Sequence, residues 1–442
     1  MSSAPIPISC SRPSSAKTNR NQGLWEETAI AEPSQPRLEG DHRTDVAIIG
    51  GGYCGLSAAL HLAETGLAPI LLEAERSGWG ASGRNGGQVI AGVKLDPSEM
   101  IAKFGRERGL ALHRFTAGTA DLVFSLIERF QIRCEAHRDG WIQAGYAPRS
   151  KTAITRRAAE LREQGENVEL LGKEKMAELT GTTYYGLGLL DRRSGMVQPY
   201  SYARGLAGAA IASGACLFGN SRVTSLTREG SGWRLRTADG TVAAKQVLLA
   251  TNAYLADLWP ALKTAMIPVT SYQISTDSLP ATLAKKILPA GLPVSDLMQL
   301  GIYFRLDDAG RFIAGGRGSL TERERPDLFD RIRHHACTLY PALASVPFPY
   351  RWGGKLALTL DHLPRLVTLE PGLHAAYGCN GRGVALLTLM GKLAAARIGG
   401  EQQDTLPIAA LPPAHYPLHG LRLPAMVVIS NIRALRRIFA RD

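Results

Sequence analysis

Closely spaced cysteines and long apolar runs are both missing from this sequence. The six cysteines occur singly, without a CxxC pair, so neither a zinc site nor a disulfide framework is predicted, and we expect no bound metal. A reducing, cytoplasmic environment fits this cysteine usage. No stretch is long and apolar enough to span a bilayer. The N-terminus is rich in Ser and Pro and lacks the apolar core of a signal peptide, which predicts a flexible leader over residues 1–23.

Signals of nucleic-acid binding are also lacking, although the formal net charge is +12. Basic residues are interspersed with acids over most of the chain, and arginine concentrates only near the C-terminus. Residues 401–442 are predicted to form a C-terminal extension with a basic amphipathic helix, in which Ile432, Leu435 and Phe439 share one face. Packing of this helix on the protein itself is favoured, and contact with an anionic membrane stays open as an alternative.

The residues that are present predict an α/β fold with two intertwined regions, because 442 residues are more than one hydrophobic core usually supports. Asp45–Ile49 is a continuous apolar run, typical of a strand buried on both faces of a parallel sheet. A helix over Leu56–Ala63, ended by Gly66, leads to a second parallel strand at Ala68–Glu73. Frequent prolines and clustered aromatic residues over 268–350 predict a separate antiparallel sheet.

The turn GGGYCG between the first strand and the helix predicts a dinucleotide site. Gly50 permits the tight turn, Gly52 lets the backbone approach a pyrophosphate, and Gly55 lets the helix pack on the strand. Glu73, at the end of the second strand, is placed to accept hydrogen bonds from a ribose. The predicted cofactor-binding residues of this unit are Gly50, Gly52, Tyr53, Cys54, Gly55 and Glu73. The turn alone does not separate NAD from FAD.

A second glycine-rich segment, GWGASGRNGGQV from Gly78 to Val89, favours FAD. An NAD domain usually continues here into an ordinary helix, whereas bare backbone with polar side chains is able to wrap the middle and the flavin end of an extended FAD. The predicted FAD contacts in this segment are Ala81, Ser82, Gly83, Arg84, Asn85, Gly86, Gly87 and Gln88.

A third glycine turn, GCNGRG, opens an apolar helix near residue 383. The start of such a helix is able to stabilise the negative charge that develops on a reduced flavin. The predicted contacts here are Asn380, Gly381, Arg382, Gly383 and Val384.

These segments together resemble the D-amino acid oxidase superfamily of FAD enzymes, and within it the gamma-glutamylputrescine oxidases. The turn ATNAYL, the stretch RWGGKLALTLDHLP and the late PPAHYP contribute to the likeness. The resemblance implies a doubly wound, Rossmann-like FAD domain over 24–95, 191–260 and 351–400, and an antiparallel-sheet substrate domain over 96–190 and 261–350. It adds Val223, Ala250, Thr251 and Gly353 to the expected FAD contacts.

The resemblance also implies a reaction. Members of the superfamily oxidise a C–N bond by hydride transfer to flavin N5, followed by imine hydrolysis, with O2 giving H2O2 or with another electron acceptor. The expected substrate is an amino-acid-like amine or a gamma-glutamyl polyamine. A sarcosine, glycine or D-amino acid substrate is one alternative, and a non-catalytic flavin-binding protein is another. The histidine and the cysteine that tether flavin in some members are absent from the corresponding segments, which predicts noncovalent FAD.

Flavin oxidases often line the substrate face of the flavin with aromatic residues and bind a substrate carboxylate with arginine, which suggests candidate substrate-pocket residues. They are Tyr272, Tyr303, Arg305 and Trp352. Lys355 and His362 flank the flavin-proximal stretch and are expected to influence oxygen reactivity or proton movement. The chain departs from the gamma-glutamylputrescine oxidase pattern at Asn380 and Arg382, where Ser and His are expected. Arg382 beside the flavin is therefore expected to alter the preference for substrate charge or the choice of electron acceptor.

Overall fold

The computed structural model describes residues 23–146, 148–255, 257–296, 301–318 and 326–400. The predicted leader, apart from Gly23, and the predicted C-terminal helix lie outside these residues. Within them, no helix has the length and apolar composition needed to cross a bilayer. The α-helices are α1 Leu24–Thr28, α2 Tyr53–Glu64, α3 Pro97–Phe104, α4 Arg106–Ala117, α5 Thr119–Arg129, α6 Pro148–Glu163, α7 Lys173–Thr180, α8 Pro199–Ala212, α9 Pro260–Lys263, α10 Ala281–Ala284, α11 Pro326–Leu339 and α12 Gly383–Ile398.

The strands divide between two large sheets and one short pair. They are β1 Gly40–Ile49, β2 Ile70–Leu72, β3 Gln88–Val89, β4 Trp141–Gly145, β5 Val168–Gly172, β6 Leu187–Asp191, β7 Gly195–Met196, β8 Cys216–Phe218, β9 Ser225–Glu229, β10 Gly232–Arg236, β11 Gly240–Leu249, β12 Ile267–Ser278, β13 Val294–Asp296, β14 Ile302–Leu306, β15 Arg311–Arg317, β16 Tyr350–Leu358, β17 Arg365–Glu370 and β18 Leu373–Tyr377.

The first sheet has a parallel centre in the order β18-β11-β1-β2-β8. The hairpin of β9 and β10 and the strand β17 join it in antiparallel pairing. Helices α2, α8 and α12 cover one face, where Leu60, Leu206 and Met390 are fully buried. The predicted strand-helix-strand unit therefore forms the middle of a doubly wound domain.

The second sheet runs in the order β16-β12-β15-β14-β13-β4-β6-β5. All of its pairings are antiparallel except that of β13 with β4. Its own hydrophobic core holds Phe304, Phe312 and Tyr340. The antiparallel sheet expected over 268–350 is thus extended by strands from 141–191.

The expected domain boundaries differ from the structure in two places. Residues 351–358 were expected in the FAD domain, but they belong to β16, which pairs with β12 in the second sheet. Helices α3 to α5 were expected in the substrate domain, but Met100, Leu112 and Leu126 are buried in the core that contains α2 and α12. The apolar stripe of a helix predicts that the helix packs on a hydrophobic core, but it does not indicate which of the two cores.

Candidate active site

The glycine turn holds its shape through contacts that leave no room for side chains. Gly50 has a φ of +110°, and a Cβ on Gly55 would lie 1.9 Å from the carbonyl oxygen of Gly50. Helix α2 begins directly after Gly52, which has no side chain to cap it, and the backbone N–H of Tyr53 donates to the Ser82 hydroxyl at 3.0 Å. The rest of this first turn lies at the positive end of the helix dipole, where an anion binds well.

Glu73 forms hydrogen bonds with the backbone beside this turn. Its Oε2 accepts a hydrogen bond from the backbone N–H of Gly51 at 2.6 Å, and its Oε1 accepts one from Glu75 at 3.0 Å. Burial raises the pKa of Glu73, and these backbone hydrogen bonds oppose the rise. The acid at the end of β2 thus holds the phosphate-binding turn as well as facing the cavity beside it.

A cavity of about 780 Å³ lies against this turn. Trp79 and Tyr254 form part of its wall, with their rings edge to face at 6.1 Å. The predicted cofactor residues that line it are Gly50, Gly52, Tyr53, Cys54, Glu73, Ala81, Ser82, Arg84, Val223, Ala250, Thr251 and Gly353. Residues from three separate chain segments therefore meet here.

A second cavity, of about 490 Å³, adjoins the first and shares Tyr53, Arg84 and Asn252 with it. It lies between the glycine-rich loop, the start of α12 and strands β12 and β14 of the second sheet. The predicted residues that line it are Tyr53, Ala81, Ser82, Arg84, Asn85, Gly86, Gln88, Tyr303, Gly381, Gly383 and Val384. The two cavities together form an elongated site that runs from the first sheet to the second.

The glycine-rich loop is fixed from within by Asn85. Its Nδ2 donates to the carbonyl oxygens of Ala81 and Ser82 at 3.1 and 2.8 Å, and its Oδ1 accepts from the N–H of Gly87 at 2.8 Å. At the far end, Gln88 accepts from the Ser295 hydroxyl at 2.6 Å. The loop is therefore held by its own hydrogen bonds and by a contact with the second sheet.

Five predicted FAD residues line neither cavity. Gly55, Gly83 and Gly87 lie where the backbone packs, and a Cβ on Gly87 would come within 2.1 Å of a carbonyl oxygen. Asn380 is buried, with its Oδ1 accepting from the N–H of Thr359 at 2.9 Å. These four support the walls of the site.

Arg382 is the fifth. Its Nη1 donates to the carbonyl oxygen of Ala91 at 2.6 Å, and burial lowers the pKa of the guanidinium. The guanidinium also lies 5.9 Å from the centre of the Trp141 ring. The side chain is turned into the protein, so a direct effect on substrate charge does not follow from this position.

The candidate substrate residues and Lys355 separate into three groups. Tyr303 lines the second cavity, whereas Tyr272 and Lys355 line the first. Trp352 and Arg305 line neither cavity, since both lie behind the glycine-rich loop. Trp352 donates its indole N–H to the carbonyl oxygen of Arg84 at 3.1 Å. Arg305 is 1% exposed and donates to the carbonyl oxygen of Val197 at 2.6 Å, so the role of carboxylate clamp does not fit it.

Tyr303 is held rigidly in the second cavity. A Cβ on Gly86 would lie 2.5 Å from its ring, and a Cβ on Gly315 would lie 2.4 Å from it. Its hydroxyl lies 2.9 Å from the hydroxyl of Ser271, which donates to the carbonyl oxygen of Gly316 at 3.0 Å. Because a serine has one hydroxyl proton, the Tyr303 O–H is the donor to Ser271, and the phenol oxygen keeps lone pairs free to accept.

Several site residues were missed by the sequence reasoning. Asn252 lines both cavities and has a φ of +47°. An asparagine in the polar turn after an apolar strand was the available signal, because asparagine tolerates this conformation. Lys94 and Ser271 line the second cavity, and nothing in their local sequence distinguishes them. His362, which was expected beside the flavin, also lines the second cavity.

The donor set fits FAD. A helix start with its positive dipole end suits a pyrophosphate. A Cβ on Gly52 would fall 2.9 Å from the Ser82 hydroxyl, so only glycine fits between the helix start and the glycine-rich loop. The adjoining second cavity provides room beyond the dinucleotide turn. FAD would lie along Gly50–Cys54 and the glycine-rich loop, with Glu73 toward the ribose.

Comparison with known proteins agrees with this geometry. The family model of the DAO family, described as FAD dependent oxidoreductase, matches residues 45–397. The gamma-glutamylputrescine oxidoreductase of Escherichia coli (strain K12) is 33% identical over 405 residues, which cover 89% of this chain and 92% of that protein. Glycine oxidase of Geobacillus kaustophilus (strain HTA426) is 27% identical over 379 residues, 82% of this chain and 94% of that protein.

A solved structure of glycine oxidase from Geobacillus kaustophilus has the same fold. It superposes with a TM-score of 0.70 at 24% identity and covers 85% of this chain and 100% of that one. The family model spans most of the chain, including both sheets and the residues around both cavities. This chain belongs to the DAO family of FAD-dependent oxidoreductases.

Proposed function

We propose that this enzyme oxidises a C–N bond in an amine that also carries a carboxylate, of the gamma-glutamyl polyamine class, with noncovalent FAD and with O2 as acceptor giving H2O2. The observation that carries the proposal is the second cavity, which opens directly from the dinucleotide cavity. The sequence identity with gamma-glutamylputrescine oxidoreductase supports the substrate class.

The charge of the second cavity supports an anionic substrate group. Its lining includes Arg84 and Lys94, and among the described residues no Asp or Glu lines it. Cationic surroundings attract a carboxylate, and they also lower the pKa of a bound ammonium, which favours the neutral amine. The neutral amine has the lone pair that C–N oxidation needs. The rate is therefore expected to rise with pH through the pKa of the bound amine.

FAD, when bound, supplies the hydride acceptor. The protein contributes position and a dry environment. The Tyr303 oxygen, held by Ser271, is available to accept a hydrogen bond from the substrate amine. Ile90, Leu356 and Leu387 give the cavity apolar walls that limit water around the reacting carbon.

The chemistry of the nearby side chains supports noncovalent binding of FAD. The glycine-rich loop carries Arg84 and Asn85 in place of a tethering histidine. Cys54 lines the first cavity, but burial raises the pKa of its thiol to about 12, so the nucleophilic thiolate is scarce. We expect acid precipitation to release all the yellow colour into the supernatant. Colour in the pellet, with a flavin mass on the peptide containing Cys54, His362 or Cys379, would contradict this.

The substrate class is tested by anaerobic bleaching of the flavin absorbance. The panel contains gamma-glutamylputrescine, putrescine, glycine, sarcosine and a D-amino acid. The gamma-glutamyl amine should reduce the flavin fastest, and putrescine, which lacks the carboxylate, should be slower by tenfold or more. Fastest reduction by glycine or sarcosine would favour the alternative substrates, and no reduction by any amine would sink the catalytic proposal.

A charge variant sharpens this test. Lys94→Gln should raise the KM for the gamma-glutamyl amine and leave that for putrescine nearly unchanged. Lys245→Gln is the matched control, because Lys245 is exposed and pairs with Asp45 away from both cavities. The acceptor is tested separately by measuring H2O2 per turnover in air, where one H2O2 per substrate is expected and none would indicate another acceptor.

A further inference from the structure

Helix α1 precedes the part of the chain that matches the family model, which begins at residue 45. It is nevertheless built into the core. Leu24 is 0% exposed and Trp25 is 1% exposed, in the same cluster as α2 and α8. Five residues of helix are too few to be stable alone, so α1 depends on what it packs against.

Trp25 contacts the glycine-rich loop directly. Its indole N–H donates to the carbonyl oxygen of Asn85 at 2.8 Å. The neighbouring carbonyl, that of Arg84, receives the indole N–H of Trp352 at 3.1 Å. The two indole rings meet edge to face at 6.1 Å. Two tryptophans, one from helix α1 and one from strand β16, thus hold two consecutive carbonyls of the loop that lies where the cavities join.

This arrangement orients the loop toward the site. In a planar trans peptide the carbonyl oxygen and the next N–H point in opposite directions. With the carbonyls of Arg84 and Asn85 held on the indole side, the N–H groups of Asn85 and Gly86 lie on the opposite side. Both Asn85 and Gly86 line the second cavity. The two indole N–H groups therefore determine that the N–H side of these peptides, rather than the carbonyl side, faces the second cavity.

The far side of α1 is anchored firmly. Gln198 donates to the carbonyl oxygen of Trp25 at 2.9 Å and to the hydroxyl of Thr28 at 3.1 Å. Just after the helix, Ile30 donates to the Ser201 hydroxyl at 3.1 Å and accepts from Arg204 at 2.7 Å. Helix α1 is thus attached to α8, so Trp25 presents its N–H from a rigid support.

We propose that Trp25 is a positioning residue for FAD: helix α1 acts as an N-terminal brace that fixes the loop at Arg84–Gly86 through the Trp25 indole. Trp25 lines neither cavity, so it acts through Asn85. Loss of the brace leaves the loop present but free to rotate its peptides, which weakens FAD binding and changes the environment of the bound flavin.

The test compares Trp25→Phe with Trp233→Phe. Both are buried tryptophans whose N–H donates to a backbone carbonyl, and that of Trp233 donates to Pro371 at 3.3 Å, away from both cavities. Apoprotein of each variant is titrated with FAD by flavin fluorescence, and the visible circular dichroism of the bound flavin is recorded. Trp25→Phe should raise the Kd for FAD about fivefold to tenfold, the range for one lost hydrogen bond, and shift the dichroism. Trp233→Phe should change neither.

A wild-type Kd and spectrum in Trp25→Phe would overturn the proposal, as would equal changes in both variants. Hydrogen exchange of the wild-type protein covers the case in which Trp25→Phe does not fold. Binding of FAD should slow exchange in the peptide over residues 24–30 together with that over 81–88. Slowing over 81–88 alone would also overturn the proposal.

Discussion

Glu73 and Gly51 are joined by a hydrogen bond of 2.6 Å from the backbone N–H to the carboxylate. The acid that dinucleotide folds place near the ribose is here also a support of the phosphate-binding turn. A carboxylate acceptor makes this a strong, charge-assisted bond. A change at Glu73 is therefore expected to affect the turn and the ribose contact together.

Glu73→Gln should weaken FAD binding by about tenfold, since an amide is a poorer acceptor than a carboxylate. Titration of apoprotein with FAD measures this. Asp45→Asn, at an exposed position paired with Lys245, is the control and should bind FAD normally. Equal affinities for FAD in Glu73→Gln and the wild type would show that Glu73 does not act on the site.

Glu73→Gln should also change how the stability of the apoprotein depends on pH. Burial raises the pKa of Glu73 above its ordinary 4.5, so the native state holds the proton more tightly than the unfolded chain does. The resulting contribution to stability is present below pH 4.5 and is lost as the pH rises through the raised pKa. The stability of the wild type relative to Glu73→Gln should therefore fall as the pH rises from about 4 toward 7. A difference in Tm that is constant with pH would contradict the raised pKa.

His374 should make the protein sensitive to acid. It is 7% exposed, and its ring nitrogens lie 3.1 Å from Thr368 Oγ1 and 3.1 Å from Gln246 Oε1. The neutral ring satisfies both contacts, with one nitrogen accepting and the other donating. Burial lowers the pKa of His374 from 6.5 to about 4, and the charge of Arg397 adds to the effect.

The stability that the neutral His374 provides is present above pH 6.5 and is lost as the pH falls toward 4, with a loss of about 3 kcal/mol. Chemical denaturation at several pH values measures it. His374→Gln, which has no titrating group, should be less stable at pH 7 and should lose less on acidification. Parallel stability curves for the two proteins would mean that His374 is not the group responsible.

Asn252 connects two loops of the site. Its Oδ1 accepts from the N–H of Gly378 at 3.0 Å, and its Nδ2 lies 3.4 Å from Cys379 Sγ. Its φ of +47° costs little for asparagine and about 1 kcal/mol for alanine. Asn252→Gly should keep the turn and lose the amide bonds, whereas Asn252→Ala loses both.

Both Asn252 variants should bind FAD more weakly by fivefold or more, and Asn252→Ala should in addition have the lower Tm. Titration with FAD and thermal unfolding separate the two effects. Wild-type affinity in Asn252→Gly would mean that the backbone shape alone matters at this turn.

The unit around Gly50 was predictable because its signals are local. Strand, turn, helix and acid follow one another within about 30 residues, and each has a physical requirement that the sequence displays. The loop around Asn85 was found in the same way, from bare backbone among polar residues. The second sheet was only partly predictable, since β13 pairs with β4 across a wide sequence separation and no local pattern encodes that partner.

Arg305 and Trp352 show why the substrate-pocket residues were harder to predict from the sequence than the cofactor-binding residues. Alternation along a strand tells which residues share a face, and it does not tell what lies opposite that face. Tyr303 and Arg305 lie two positions apart in β14 and so share one face of the strand. Only Tyr303 lines the second cavity, whereas Arg305 is buried against Val197. The distinction depends on the path of the glycine-rich loop between them, which is a property of the whole fold.

Tyr303→Phe should lower kcat/KM for the amine substrate by about tenfold and leave the Kd for FAD unchanged. The ring still fills the space between Gly86 and Gly315, and only the acceptor oxygen is lost. Tyr340→Phe is the matched control, because its buried hydroxyl donates to Thr180 at 2.6 Å far from the cavities. That variant should lose about 1 kcal/mol of stability and keep its kinetics.

The pH profile separates positioning by Tyr303 from acid-base chemistry. Desolvation raises the pKa of Tyr303 to about 12, although the hydrogen bond with Ser271 opposes the rise. The phenol is therefore neutral throughout the working range, and the increase of kcat with pH belongs to the bound amine. Tyr303→Phe should show the same increase at a lower level. If the increase disappeared in Tyr303→Phe, the phenol would be the titrating group, and the neutral acceptor role would be wrong.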